Sequence, residues 1–459
     1  VTPGGERYAG RAERLHLGRL IGWAWDHEAG RAPAIRVEVN GEVAAELTPG
    51  LLRPDLAKDG LGDGRCGFAW AVPPQFCDPA PQRLRLLAAA DGSVIFEHAE
   101  ARLTTAAEEL YRAWKQEALG QGLWALDAVQ AQGERLVGSG WAVPPYGQPQ
   151  PLRLQVNGTP AEMTWLRRSE PSIVDPLGLA GRFERPRFRF GLPLAAVGDP
   201  ALLHLSLCEP SGRPIAPSQD IWVSAAPVPQ PPEALRQRVH GPGDAAGFDR
   251  TGCTIAHLLT RALERRVPGG FAGFGTVLDW GCGCARVGRY LLPALPGRYV
   301  GVDPDAGAIG WCRANLPGGR FEVIGTDPPL PLATGGVDCV VGVSVFTHLT
   351  ETHQRLWLAE LERVLRPGGI ALLTTFGKAA WSRFPRRLED FLRWQRTGFT
   401  DFGPSQDLVG VIPDPTIYRG VSHAISYIRQ VWSRHFDILE AKDGGIGGYQ
   451  DIILARRRA

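Results

Sequence analysis

Residues 277–289, Val-Leu-Asp-Trp-Gly-Cys-Gly-Cys-Ala-Arg-Val-Gly-Arg, constrain this chain more than any other stretch. Val277 and Leu278 end an apolar run that reads as a buried strand. Asp279 follows, and Gly281 and Gly283 then supply a tight turn before a helix that starts near Arg286. A strand–turn–helix of this kind aims backbone N–H groups at a ligand and lets the main chain approach it closely. Further on, Tyr299-Val-Gly-Val-Asp303-Pro is a second apolar strand that ends in an acid. Open α/β sheets place a carboxylate on a ribose diol about twenty residues after the glycine turn, which is the spacing here.

A dinucleotide site wants G-x-G-x-x-G, to admit a pyrophosphate. Here the order is Asp279-x-Gly281-x-Gly283-x-Ala285, with an acid just before the glycines. An anion-binding loop gains nothing from that carboxylate, whereas a ligand carrying an ammonium and a sulfonium does. The arrangement resembles the first motif of the class I methyltransferases that use S-adenosylmethionine. The resemblance implies that Asp279, Gly281 and Gly283 hold the methionine part of the cofactor and that Asp303 binds its ribose. Ala285 stands where the family usually has a third glycine, a departure that bears on helix–strand packing more than on the ligand. Thr326-Asp327-Pro-Pro-Leu-Pro-Leu332 matches the loop that the family lays beside adenine, which makes Asp327 the candidate for the exocyclic amine. Glu360-Leu-Glu-Arg-Val-Leu-Arg-Pro-Gly-Gly369 before the strand Ile370 to Thr375, and a final antiparallel pair from Phe436 and Gln450, extend the resemblance over about residues 240–459.

The fourth strand of that domain runs into Val343-Ser-Val-Phe-Thr-His348-Leu. Ligands of such sheets sit outside the carboxyl ends of the strands, so His348 is expected to border the reaction centre. A neutral histidine can take the proton of an acceptor hydroxyl near pH 7. His423 is the second candidate base, ahead of a helix carrying Tyr427 in the variable segment expected to shape the acceptor pocket. Phe346 and Tyr427 are the candidate substrate-binding residues. Positioning alone supplies much of the rate with a reactive donor, so neither histidine need be essential. Phe384, Phe391, Trp394, Phe399 and Phe402 follow the fifth strand, as either an apolar lid or a local core.

The N-terminal half repeats itself. Gly22-Trp23-Ala24 returns as Gly140-Trp141-Ala142, Val37-Glu-Val-Asn40-Gly41 as Leu154-Gln-Val-Asn157-Gly158, and the strand before Asp91-Gly92 as the strand before Ser211-Gly212. Short alternating segments between turns, with Asn-Gly hairpin signals, predict two β-sandwich-like modules. The expected organisation is a module over 1–105, a helical connector over 106–131, a second module over 132–225, a proline-rich linker over 226–239, and an α/β doubly wound, Rossmann-like domain over 240–459. The modules resemble small β-domains attached to glycosyltransferases and methyltransferases of bacterial surface-polysaccharide gene sets. Trp23 and Trp141 read either as platforms for sugar rings or as packing tryptophans.

The formal net charge is +2 over 459 residues, with no basic block beyond Arg456-Arg457-Arg458, which argues against a nucleic-acid partner. No apolar run approaches membrane-spanning length and no secretory signal core opens the sequence, so a cytoplasmic protein is expected, including the inner face of the membrane beside glycan-assembly proteins. The eight cysteines sit mostly in apolar strands or the glycine turn and read as reduced, with no metal site expected at Cys282 and Cys284. The resemblances imply a S-adenosylmethionine-dependent O-methyltransferase, and the likeness to polysaccharide-associated methyltransferases alone implies a sugar hydroxyl of a surface glycan or its precursor as acceptor, with protein partners at the N-terminal modules. The alternatives are methylation of a small molecule or a protein, and a non-catalytic glycan-binding scaffold.

Overall fold

The computed structural model describes residues 7–16, 19–73, 76, 80–103, 114, 116–117, 119–175, 177, 179, 181, 183–198, 201–216, 219–226, 228–241, 243–383 and 388–458. The chain forms two compact units, Val1–Trp114 with Arg386–Thr397, and Lys115–Pro385 with Gly398–Ala459.

The first unit carries two four-stranded sheets. One runs Tyr8–His16, Arg19–Asp26, Arg65–Ala71, Leu51–Leu52, and the other Glu42–Leu47, Ile35–Val39, Gln82–Ala88, Val94–Ala101. The helix Leu388–Thr397 belongs to the same unit and sets Phe391 and Trp394 edge-on against Trp114. In the second unit the strands Leu123–Gln132, Arg135–Val143, Arg187–Pro193, Glu162–Trp165 form one sheet, and Thr159–Pro160, Arg153–Val156, Leu202–Cys208, Ile221–Ser224 the other. The strand order is the same in both modules. Buried Leu126, Phe188 and Phe190 of one sheet share a core with Leu154, Leu205 and Leu207 of the other, which makes the second module a sandwich.

The repeat has a physical basis at two positions. Asn40 and Asn157 have φ of 52° and 50°, followed by Gly41 and Gly158 at 87° and 81°, the pair of left-handed residues that a type I′ hairpin needs. Each asparagine also accepts, at 2.8 Å, the backbone N–H of the strand beside it, Arg83 in one module and His204 in the other. At Gly22 and Gly140 a Cβ would lie 2.6 Å from Phe68 and 3.0 Å from Phe188, rings of the neighbouring strands. The Gly-Trp-Ala motif is therefore a packing motif. Trp23 and Trp141 sit half-buried in small apolar clusters beside it.

Two expected boundaries move. Leu123–Gln132 is a strand paired with Arg135–Val143, so the second module starts inside the stretch expected as a helical connector; residues 106–113 lie outside the described residues. The proline-rich linker also ends early, because Glu233–His240 is a helix.

The rest of the second unit is a seven-stranded sheet. Its strands are β1 (Val277–Trp280), β2 (Tyr299–Asp303), β3 (Gly319–Val323), β4 (Val337–Gly342), β5 (Leu365–Phe376), β6 (Phe436–Ile446) and β7 (Gln450–Arg457). The order is β3-β2-β1-β4-β5-β7-β6, with β1 to β5 parallel and β7 antiparallel to both of its neighbours. Strands β1, β2 and β4 are apolar almost throughout because helices cover both faces of the sheet. One covering helix, Ala245–Glu264, is N-capped by Asp244, which accepts from Gly247 N–H at 2.6 Å. The second module packs on it: Trp222 joins the core of this sheet, stacks on His204 at 4.4 Å, and hydrogen-bonds through its backbone to Thr254. Among the described residues no helix is long and apolar enough to cross a membrane.

Candidate active site

Strand order reverses between β1 and β4, and a cleft of about 350 Å³ opens there at the carboxyl ends of the strands. Asp279, Gly281, Gly283 and Asp303 line one side of it, as the sequence predicts. Gly281 has φ of 72°, and a Cβ on it would come within 2.4 Å of Val345; at Gly283 the values are 55° and 2.7 Å, from Val239. Only glycine lets the main chain run this close to its neighbours and still turn. Asp303 ties the turn to β2, since its carboxylate accepts from Gly283 N–H at 2.7 Å and from Asp305 N–H at 2.9 Å. Burial pushes its pKa up to about 6 against those two bonds. Asp279 accepts from the Tyr299 hydroxyl at 2.5 Å, and burial, reinforced by the Asp303 charge, carries its pKa up to about 7.

Arg286, in the same turn, also lines the cleft. Its guanidinium donates to the Val239 carbonyl at 2.6 Å, and no carboxylate among the described residues touches it. Burial lowers its pKa from the usual value, with only Cys284 and Tyr418 opposing the shift. The helix Glu233–His240 brings Gln237 to His240 to the rim of the same cleft. The sequence reading missed Arg286, although it stands within the motif, and mistook this helix for linker.

The far side of the cleft lies over β4, β5 and β7 and is lined by Ser344, His348, Phe376, Tyr418 and Gln450. The segment after β5 docks on the loop following β4: Arg419 N–H donates to the His348 carbonyl and Val421 N–H to that of Thr347, both in the 2.8–2.9 Å range. This pairing seats Tyr418 on the His348 ring at 4.3 Å. His348 Nδ1 lies 3.0 Å from the Arg419 carbonyl. A carbonyl can only accept, so Nδ1 carries the proton and Nε2 is the bare nitrogen. Burial lowers the His348 pKa to about 4, which keeps the ring neutral at physiological pH.

The other sequence candidates fall outside the cleft. His423 is fully buried, with Nε2 against Gln354 at 2.8 Å and its ring among Phe399, Tyr427 and Trp432, and burial takes its pKa down to about 3. It braces the core and has no route to an acceptor. Phe346 is wedged between Trp280 and Trp432 at 5.1 and 4.6 Å, with no exposed surface to offer a substrate. Tyr427 is also buried and donates to Glu351 at 2.9 Å. Asp327 points to solvent and meets His353 at 3.2 Å, while its neighbours Gly325 and Thr326 line the cleft. Of the aromatic residues after β5, Phe391 and Trp394 are core of the first unit, and Phe399 and Phe402 pack on Tyr427 and Trp381; Phe384 lies outside the described residues. Seven described cysteines are free and buried, and no group of three or more His, Cys, Asp or Glu among the described residues could hold a metal.

Residues 277–369 match the family model described as "Methyltransferase domain". A probable S-adenosylmethionine-dependent methyltransferase of Mycolicibacterium smegmatis is 36% identical over 107 residues, 23% of this chain and 40% of that protein. A fatty-acid O-methyltransferase of the same organism is 37% identical over 101 residues, 21% of this chain and 36% of that protein. The chain spans less than half the length of these curated relatives. A solved S-adenosylmethionine-dependent methyltransferase from Mesorhizobium loti covers 43% of this chain and 96% of its own, at 16% identity and a TM-score of 0.33. The C-terminal part of the chain is thus a class I S-adenosylmethionine-dependent methyltransferase domain preceded by β-rich modules. Its cofactor is S-adenosylmethionine.

The residues lining the cleft fit that group. An amino acid's ammonium and carboxylate, beside a sulfonium, call for charges of both signs in one cleft, and the buried Asp279 with the half-buried Asp303 and unpaired Arg286 are that set.

Proposed function

We propose that this protein transfers a methyl group from S-adenosylmethionine to a hydroxyl oxygen, and that the acceptor is a sugar hydroxyl of a surface glycan or its precursor. The observation that carries the O-transfer reading is His348: a neutral imidazole in the cleft wall, with Nδ1 committed to a backbone carbonyl and Nε2 left as an acceptor. Asp279 and the turn at Gly281 and Gly283 would hold the amino-acid end of the cofactor, Arg286 its carboxylate, and Asp303 the ribose diol. When bound, the cofactor supplies an electrophilic methyl group. The protein contributes orientation, an enclosed cleft, and a nitrogen at His348 to which the acceptor hydroxyl donates its hydrogen.

The sugar assignment rests on the sequence resemblance to polysaccharide-associated methyltransferases and on the paired β-modules, which would hold a long acceptor or protein partners. Transfer of labelled methyl from S-adenosylmethionine into cell-envelope glycan fractions, rather than into protein or small-molecule fractions, is the expected result. Label confined to protein would remove the sugar reading. A second reading, a small apolar alcohol or acid, draws support from Leu408, Ile412 and Ile417 in the cleft wall and from the fatty-acid O-methyltransferase relative. Label in the small-molecule fraction would select it.

A further inference from the structure

Gln450, the first residue of β7, pairs in register with Phe376, the last residue of β5, at the acceptor side of the cleft. Its side chain donates from Nε2 to the Ser344 hydroxyl at 2.8 Å. Ser344 is held in a left-handed conformation, φ 62°, and its own N–H goes to the Thr374 hydroxyl at 2.8 Å. The chain of bonds therefore fixes the amide by one end. The other end, Oε1, is buried and has no hydrogen-bond partner among the described residues, in a residue only 9% exposed. An amide oxygen removed from water without a donor destabilises a fold, and structures retain one chiefly where a ligand completes it. A non-glycine residue in the left-handed region next to it is a second local cost, of the kind concentrated at binding sites.

We propose that Gln450 reads the acceptor: its amide oxygen accepts a hydrogen bond from a hydroxyl of the bound acceptor, so the substrate is a neutral molecule with a donor at this depth. The inference rests on the methyl-transfer reading above. A cationic donor is disfavoured at this position because the amide oxygen brings no charge to offset its desolvation. An acceptor oxygen that carries no hydrogen, such as an ether or a carboxylate, would leave the amide oxygen unsatisfied and be rejected.

Crystals of the full chain with S-adenosylhomocysteine, soaked separately in ethylene glycol and in its dimethyl ether, test this. The diol is expected in the cleft with a hydroxyl within hydrogen-bond distance of Gln450 Oε1, and the ether is expected to be absent there. The Gln450→Leu variant should lose the diol and raise KM for the labelled acceptor fraction at least tenfold, with the dissociation constant for S-adenosylhomocysteine changed less than twofold. A cleft that seats both probes alike, or neither, overturns the proposal, as does a Gln450→Leu variant whose acceptor KM is unchanged. A variant that loses cofactor affinity in parallel would make Gln450 a packing residue. Failure of the wild-type protein to bind S-adenosylhomocysteine at all would instead remove the underlying reading.

Discussion

Replacing Asp303 with alanine separates what this carboxylate does for the fold from what it does for the ligand. In the fold it accepts two backbone N–H bonds, from Gly283 at 2.7 Å and Asp305 at 2.9 Å. Bonds to a charged group are worth about 1.5–3 kcal/mol each, and their loss leaves two donors to find other partners. Against this stands the cost of burial. Holding the group ionised at neutral pH with a pKa of about 6, where an exposed aspartate has 3.8, destabilises the folded state by about 3 kcal/mol. That figure is already net of the two N–H bonds, which lower the pKa, so alanine relieves the net cost of the charge but leaves two backbone donors without their acceptor, and the midpoint of thermal unfolding should move by only a few degrees. Cofactor binding has no such offset. Removing a charge-assisted bond to the ribose diol costs about 1.5–3 kcal/mol, which is about 10- to 150-fold in dissociation constant. Calorimetric titration of the variant with S-adenosylmethionine, alongside a thermal melt, gives both numbers. Retained affinity with normal folding would refute the ribose assignment, and a melt lowered by tens of degrees would refute the stability bookkeeping.

Asp279 and Asp303 have folded pKa values of about 7 and about 6, both above the ordinary 3.8, so the folded protein holds extra protons between about pH 4 and 7. A cationic ligand favours their ionised forms; affinity for S-adenosylmethionine should therefore rise about tenfold from pH 5.5 to 7.5, with proton release visible as a buffer-dependent heat at pH 6.5, and a flat profile would contradict it. His348 titrates near 4, so kcat should show no limb at the usual histidine pKa of 6.5, and His348→Phe should lower kcat about 100-fold or more with cofactor affinity within twofold. Asn157→Ala removes the bonds to His204 N–H and to the Val197 and Leu202 carbonyls and puts a Cβ-bearing residue without a local partner at φ 50°; it should destabilise the second unit by about 1–3 kcal/mol in urea titration, and Asn157→Gly, which loses the same bonds but not the backbone freedom, should destabilise it by less. A protein beginning at Pro232 loses Trp222 from the core of the methyltransferase sheet and the Pro229 carbonyl from Arg289, so it should unfold at lower temperature than one beginning at Lys115. Equal melting points would show that the second module is dispensable to that sheet.

The glycine-turn wall of the cleft was legible because its parts are consecutive in sequence. Asp279 to Arg286 is one turn, and Asp303 is one strand away, so spacing alone brings them together. The opposite wall is assembled from the loop after β4, the end of β5, the segment at Leu408 to Tyr418 and the first residue of β7. Nothing local marks these as neighbours; the antiparallel insertion of β7 between β5 and β6 does it. His423 shows the reverse error. A histidine ahead of the Tyr427 helix, in the variable segment, reads as a candidate base in sequence, but its strand turns that side chain toward Gln354 and Trp432. The repeat was legible for the same reason as the glycine turn: Asn-Gly and Gly-Trp-Ala satisfy backbone and packing demands within a few residues. The start of the second module was not, because the strand Leu123–Gln132 alternates weakly and is specified by its partner Arg135–Val143.

The first compact unit is discontinuous: its closing helix, Leu388–Thr397, comes almost three hundred residues after its last strand, Val94–Ala101. A ribosome making this chain at roughly 5–20 residues per second leaves that unit incomplete for roughly 15–60 s. During the interval the indole of Trp114 waits for Phe391 and Trp394, while the segment that will become the methyltransferase sheet is still being synthesised. The first unit thus starts first but receives its last element only after the second β-module and strands β1 to β5 have emerged, with β6 and β7 still to follow.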